Sequence, residues 1–341
     1  MNVPTVFRIF LAGVGFIVFP APAQETPEEK PFVTIDLTEV LTKALDDVFS
    51  QTRGAVVRVI GSDRHGRLMG TGFFVDAMGT LLTTHAVVGD AEEVRVIVPP
   101  NTRSTPARVL ASDPRSGVAV VRVETNASAN PFLLSGKSSA LAKGTPILSL
   151  GYSSERDISR SLGLVENFDR KNNGAFLHTT HIRVVLPVQR GCSGAPLLNF
   201  NGKVVGMLVS GADGVCHVLP IEAANKIIAD VTRYGEPRPG WVGVTVETSP
   251  DGTVIVESTE KDSPAREADI RSGDKLLAVG DRIITAMDDM IDAAFFLSDG
   301  DRIALRVVRE DKELNILVTV GKRPTPAPHS TATPEFNLLG K

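Results

Sequence analysis

Few residues of this chain could carry covalent chemistry. Ser193 stands in Gly191-Cys192-Ser193-Gly194-Ala195-Pro196-Leu197-Leu198, a serine among small residues closed by proline and an apolar pair. Such a stretch suits a tight turn that exposes the hydroxyl and aims backbone N–H groups at one point, where an oxyanion could rest. The chemistry would be nucleophilic attack, which needs a base to take the serine proton and an acid to orient that base. His85, after Thr83-Thr84, is one source of an imidazole, and His178 and His181 lie upstream of the serine at i and i+3. The latter two read equally as solvated loop residues or as a metal pair, but no third or fourth ligand has suitable spacing, so no metal site and no cofactor are expected. Cys192 and Cys216 are the only cysteines, which excludes a disulfide scaffold and a four-thiolate zinc site.

The elements that must hold these residues are mostly strands. Leu37, Val40, Leu41, Ala44, Leu45 and Val48 recur at helical spacing and predict a short amphipathic helix. From Ala55 to about Val209 the chain changes to short β-type runs broken by turns, among them Val56 to Ile60, Thr71 to Val75, Val94 to Val98, Val118 to Val123 and Val204 to Val209. Many short strands without intervening helices predict a mainly β barrel or sandwich pair. Ile221 to Tyr234 is helical again, and Glu236-Pro237-Arg238-Pro239-Gly240 reads as the domain boundary. A second, mixed α/β unit follows from Trp241 to about Val320, with a helix near Asp288 to Leu297. Lys322 to Lys341, rich in proline, serine and threonine, reads as a disordered tail.

Length and charge narrow the partners. The 341 residues suit about two domains. A net charge of -4 and the lack of a dense Lys/Arg run argue against nucleic acid. Arg8, the apolar run Ile9 to Phe19 and Ala21-Pro22-Ala23 predict a signal peptide over residues 1–23, and therefore export to the periplasm, the wider cell envelope or the medium. A retained N-terminal anchor is the alternative. Residues 24–50 are then a leader plus the short helix.

Four blocks in order carry a resemblance: Gly70-Thr71-Gly72-Phe73-Phe74-Val75; Gly79 to Val88 with Thr83-Thr84-His85-Ala86-Val87-Val88; Asp113-Pro114-Arg115-Ser116-Gly117-Val118-Ala119-Val120; and the serine turn. Together they resemble the HtrA (Deg) family of trypsin-like serine proteases. Residues 51–235 are similar to its protease domain, a double β-barrel, and residues 240–321, opening Gly240-Trp241-Val242-Gly243-Val244, to its PDZ domain. The resemblance implies peptide-bond hydrolysis with Ser193 as nucleophile and the amides of Gly191, Cys192 and Ser193 as the oxyanion hole. The same blocks, laid without gaps, put the base position on Ala86 and the acid position on Gly117. His85 is one residue early, and neighbouring side chains diverge by about 100° in a helical turn. Asp113 matches the turn-forming aspartate of the family pattern.

Further implications follow from the resemblance. Cys192 and Cys216 would lie on opposite walls of the primary pocket, where a bridge would staple them. Trp241, Val242, Gly243 and Val244 match the loop that holds a ligand C-terminus, with Ala293, Ala294 and Leu297 as walls for its last side chain. Assembly as a homo-oligomer, a trimer in the family, is implied as well. Two functions are left open. One is an exported HtrA-like protein with an inactive or impaired protease domain that binds protein C-termini or unfolded polypeptides. The other is an active endopeptidase degrading misfolded envelope proteins, with His85 or another histidine as base.

Overall fold

A computed structural model of the chain describes residues 36–124, 130–153, 158–172 and 175–324. The expected signal peptide, most of the leader and most of the expected tail lie outside these residues. The expected amphipathic helix is α1 (Leu37–Thr52), whose N-terminus is capped by the Asp36 carboxylate, accepting from the Thr38 and Glu39 amides. Its inner face brings Leu45, Val48 and Phe49 onto the trypsin-like unit.

That unit has two closed barrels. Strands β1 (Val56–Asp63), β2 (Gly66–Phe74) and β3 (Thr80–Thr84) lead through the single-turn helix α2 (His85–Val88) to β4 (Glu93–Ile97), β5 (Thr105–Asp113) and β6 (Val118–Val123). They close in the order β1-β2-β3-β6-β5-β4. Strands β7 (Pro146–Tyr152), β8 (Ile158–Asn172), β9 (Ala175–Val185), β10 (Pro196–Leu198), β11 (Val204–Ala212) and β12 (Val215–Pro220) close as β10-β11-β12-β9-β8-β7.

Side-chain alternation in strands explains why two barrels form. Along β6, Ala119, Val121 and Val123 fill the first barrel, while Val118 and Val120 face the layer between the barrels. The same split separates Phe74 from Phe73 and Leu81 from Leu82. Leu148, Leu150, Leu198, Met207 and Leu219 complete that middle layer from the second barrel. Helix α3 (Ile221–Tyr234) ends at Gly235 and covers the layer with Ala223, Ala224, Ile227 and Val231.

The second unit begins with β13 (Gly240–Trp241), followed by β14 (Val244–Thr248), β15 (Val254–Thr259), the short helix α4 (Pro264–Glu267), β16 (Lys275–Val279), β17 (Arg282–Ile283), α5 (Met287–Phe295), β18 (Arg302–Arg309), β19 (Lys312–Thr319) and β20 (Gly321–Lys322). Its main sheet runs β14-β15-β16-β18-β19, so β14 is an edge strand. The expected strand over Val242 to Val246 is interrupted, because Val242 and Gly243 form a loop between β13 and β14. Lys322, assigned to a disordered tail, instead pairs with Gly240.

The two units are clasped together. Arg170, near the end of β8, has a side chain only 5% exposed. It donates through Nη1 to the Asp288 carbonyl at 2.6 Å and to Asp292 Oδ1 at 3.3 Å, and through Nη2 to the Leu177 carbonyl at 3.0 Å. Asp292 also accepts from Thr179 Oγ1 (2.9 Å), Thr180 N (2.7 Å) and Thr180 Oγ1 (2.6 Å). Phe295, at the end of α5, is buried in the core layer between the barrels, with Phe296 edge-on to it at 5.3 Å. Ser298 donates to the buried Asp230 of α3 at 2.7 Å.

Candidate functional site

The serine turn is built around Thr71 on β2. The Thr71 N–H donates to the Ser193 carbonyl at 2.8 Å and its hydroxyl to the Gly191 carbonyl at 2.9 Å. The Tyr152 N–H donates to the same hydroxyl at 2.9 Å, and Thr83 Oγ1 donates to the Thr71 carbonyl at 2.8 Å. Gly194 is held at φ 88° against that carbonyl, so close that a Cβ would collide with it. The turn is therefore tight and held closely against β2. One of its three expected oxyanion donors is withdrawn, however. The Cys192 N–H is bonded to the Gln189 carbonyl at 3.3 Å, which leaves Gly191 and Ser193 as candidate donors.

The Ser193 hydroxyl is engaged with main chain. It donates to the Val209 carbonyl at 3.0 Å and accepts from Thr84 Oγ1 at 3.4 Å. The imidazole of His85, the expected candidate for the base, is engaged with β5, its Nδ1 2.7 Å from Ser112 Oγ. The reason is local. Thr84 still belongs to β3 and α2 starts at His85, so the next position around the turn, Ala86, is turned to solvent while the imidazole points to β5. The His85 N–H donates to the Gly117 carbonyl at 2.8 Å, which places the expected acid position directly beside the base segment.

Gly117 offers no carboxylate, and the space for one is filled. Its φ is 73°, and a Cβ built there would lie 2.9 Å from Val209 Cγ1. Asp113 behaves as the turn residue expected of it. It is buried, and it accepts from Arg115 N and Nε at 3.2 and 3.0 Å and from Ser116 Oγ at 3.0 Å.

Around the expected primary pocket, Cys192 and Cys216 are both buried free thiols, and the expected bridge is not formed. Each sulfur packs on a glycine. A Cβ at Gly151 would meet Cys192 Sγ at 2.8 Å, and one at Gly211 would meet Cys216 Sγ at 2.7 Å and Val188 Cγ2 at 3.3 Å. Burial pushes the Cys216 thiol up to about 11, which makes it unreactive at neutral pH. The upstream histidines are strand residues rather than loop residues. His178 is exposed on β9, while His181 is buried with Nδ1 2.9 Å from the Thr179 carbonyl. Among the described residues no group of three His, Cys, Asp or Glu side chains could hold a metal ion.

In the second unit, the loop Trp241 to Val244 turns its carbonyls inward. The Ala265 N–H donates to the Val242 carbonyl at 2.9 Å and the Glu260 N–H to the Gly243 carbonyl at 2.8 Å. A trans peptide plane points C=O and the following N–H in opposite directions, so the Gly243 and Val244 N–H groups face away from those partners, beside the free edge of β14. Of the expected pocket walls, Ala293 and Leu297 are buried in this unit's own core and only Ala294 is exposed. Helical phase accounts for Ala293: Met290 and Ala293 lie on one side of α5, while Asp288, Asp292 and Phe295 meet the barrel unit on another; Leu297 follows the end of the helix and joins the same core.

Three contributors were not found by sequence reasoning: Thr71 as the holder of the serine turn, Val209 as the occupant of the acid slot, and the Arg170–Asp292 clasp. Val209 carried no local signal, because it sits at a register irregularity of β11 between Leu208 and Ser210.

With this geometry described, the likeness to known proteins is specific. Residues 70–207 match the family pattern of the trypsin-like peptidase domain, and residues 240–320 match that of the PDZ domain. The chain is a trypsin-like peptidase domain followed by a PDZ domain, and its homologues are of the HtrA/DegP type. A probable periplasmic serine endoprotease DegP-like of Ectopseudomonas mendocina is 29% identical over 283 residues, covering 77% of this chain and 58% of that protein. A protein of the same description from Chlamydia trachomatis is 28% identical over 273 residues, covering 75% of this chain and 54% of its own length. The chain thus spans little more than half the length of these relatives. Among solved structures, the HtrA-type protease AlgW with tripeptide superposes with a TM-score of 0.68 at 21% identity, covering 83% of this chain and 98% of that one. The serine endoprotease from Yersinia pestis gives 0.61 at 22% identity, covering 82% and 98%.

Proposed function

We propose that this protein is an exported, HtrA-like peptide-binding protein of the cell envelope whose trypsin-like domain is not a working protease. The observation that carries this reading is the filled acid slot: Gly117 provides no carboxylate and Val209 lies where one would stand, beside an exposed Ala86 at the base position. Without base and acid, an intact oxyanion turn contributes a residual acceleration of only about 10³ to 10⁴ over water. Ser193 then holds its turn closed through the Val209 carbonyl.

Binding of protein C-termini or unfolded segments is assigned to the PDZ domain, where the outward Gly243 and Val244 amides and the open β14 edge suit strand addition by a peptide. The periplasmic description of the DegP-like relatives supports the envelope location. Among the described residues no helix is long and apolar enough to cross a membrane.

The competing reading is an active endopeptidase, favoured by the preserved serine turn and by the endoprotease description of the relatives. Fluorophosphonate labelling of the wild-type chain against Ser193→Ala decides between them. The expected result is no labelling in either; labelling of wild type that disappears in the variant establishes the enzyme.

A further inference from the structure

His181 lies beneath the clasp between the domains, and His217 of β12 lies beside it on the same barrel face. In the second barrel Asp169 of β8 pairs with His181 of β9, and Arg183 of β9 pairs with His217 of β12. His181 and Arg183 are two apart on β9, so these four side chains share one face of the sheet. His181 is 3% exposed, and its Nδ1 is tied to the carbonyl of Thr179, the residue whose own hydroxyl grips Asp292 of the PDZ helix. His217 Nδ1 is buried without a hydrogen-bond partner. His181 directly follows Thr180, which supplies two of the donors to Asp292.

We propose that His181 and His217 form an acid-sensitive element that releases the PDZ domain from the trypsin-like domain when they take up protons. The charged groups facing them are Asp169 and Arg170 on β8, Arg183 on β9 and Asp292 on α5, with Glu166 and Asp288 paired to the two arginines. Arg183 is already paired with Glu166 (2.7 Å) and Asp169 (2.9 Å), and Arg170 with Asp292 (3.3 Å). The carboxylates of this face thus have cationic partners before any imidazole charges, and a new cation at His181 would stand in a dry site against Thr179 and Arg170.

Burial holds His181 down to about 4, with the neighbouring His217 acting in the same direction and Asp292 against it. Burial lowers His217 as well, Asp169 opposing. Both are neutral in the clasped form at pH 7. A released β9 face would return His181 toward 6.5, so between pH 6.5 and 4 the released form binds protons that the clasped form refuses. For His181 alone the released-to-clasped ratio rises about 30-fold from pH 8 to pH 5. This inference does not depend on whether Ser193 reacts.

Small-angle scattering of the full chain from pH 8 to pH 4.5 tests it. The radius of gyration of the wild type should rise below pH 6.5. Asp292→Asn, which lacks the clasp carboxylate but keeps one acceptor, should begin to expand at a higher pH than the wild type. His181→Gln with His217→Gln should stay compact throughout, provided its circular dichroism at pH 8 matches wild type. If that double variant does not fold, His217→Gln alone should move the expansion to lower pH. A wild type that keeps its radius down to pH 4.5, a folded double variant that expands at the wild-type pH, or a single variant with an unmoved midpoint each overturns the proposal. The last two outcomes would assign the transition to the carboxylates.

Discussion

The cleft around Ser193 and the clasp around Arg170 are both polar regions of one fold, and they differ in what their polar groups depend on. In the cleft each group is satisfied locally: the Ser193 hydroxyl by the Val209 carbonyl, His85 by Ser112, and Asp113 by Arg115 and Ser116 within its own turn. In the clasp a buried Arg170 and a partly buried Asp292 from distant parts of the chain depend on each other, and five hydrogen bonds besides their own converge on them. The dense interdependence lies between the domains.

Removing one clasp charge should therefore have the largest effect. Asp292→Ala leaves the buried Arg170 guanidinium with only the exposed Asp288 carboxylate, 3.7 Å from Nε, and a loss of about 3 kcal/mol is expected in urea unfolding. Asp292→Asn, which keeps one acceptor for the threonine hydroxyls, should cost less. Equal costs for the two variants would mean that the Coulombic part of the clasp contributes little.

The pH dependence of global stability is next. The folded value of His181, about 4, lies below its ordinary 6.5, so its contribution is complete above pH 6.5 and is lost as the pH falls toward 4. From pH 7 to pH 5 the loss from this residue is about 2 kcal/mol. His181→Gln should flatten that part of the profile in urea titrations at the two pH values. A slope unchanged in the variant would place the proton uptake elsewhere.

These two regions also differ in how far they could be read in advance. The barrel strands were legible because alternation on β6 and the turn signals are local, and α3 ends at Gly235 where the apolar period stops. The strand-to-helix connection was legible too, since it leaves no slack between Thr83 and Val87, and the His85 N–H meets the Gly117 carbonyl across it. The Cys192 amide was not, since its engagement by Gln189 depends on the path of the preceding loop. The clasp was opaque for a stronger reason. Arg170 and Asp292 lie 122 residues apart, and each alone reads as an exposed charge on a polar face. The cysteine bridge failed because two sulfurs in one core layer can pack on Gly151 and Gly211 as well as on each other.

A smaller effect tests whether the acid slot is closed. Gly117→Asp adds a Cβ at a left-handed φ of 73° and against Val209, which should cost about 1 to 2 kcal/mol. Val209→Ala costs some packing by itself but removes the obstructing methyl. The two changes together should then cost less than the sum of the single changes, a positive coupling readable in a double-mutant cycle. Simple additivity would mean that an aspartate finds another way out of the turn and that Val209 does not fill the slot.

The smallest change is expected at the residue that first draws the eye. Ser193→Ala removes a neutral hydrogen bond to a main-chain carbonyl and one long contact from Thr84, in a turn otherwise held by Thr71 and Gly194. A cost within about 1 kcal/mol is expected, because a typical neutral hydrogen bond contributes about that much and the Val209 carbonyl retains a second lone pair. In an enzyme the same substitution would abolish turnover while leaving stability nearly as it was. Here both stability and hydrolysis of an unfolded casein-type substrate should be indifferent to it. A Ser193-dependent hydrolysis, however slow, would show that some imidazole reaches the hydroxyl in solution and would return the cleft to the class of working sites.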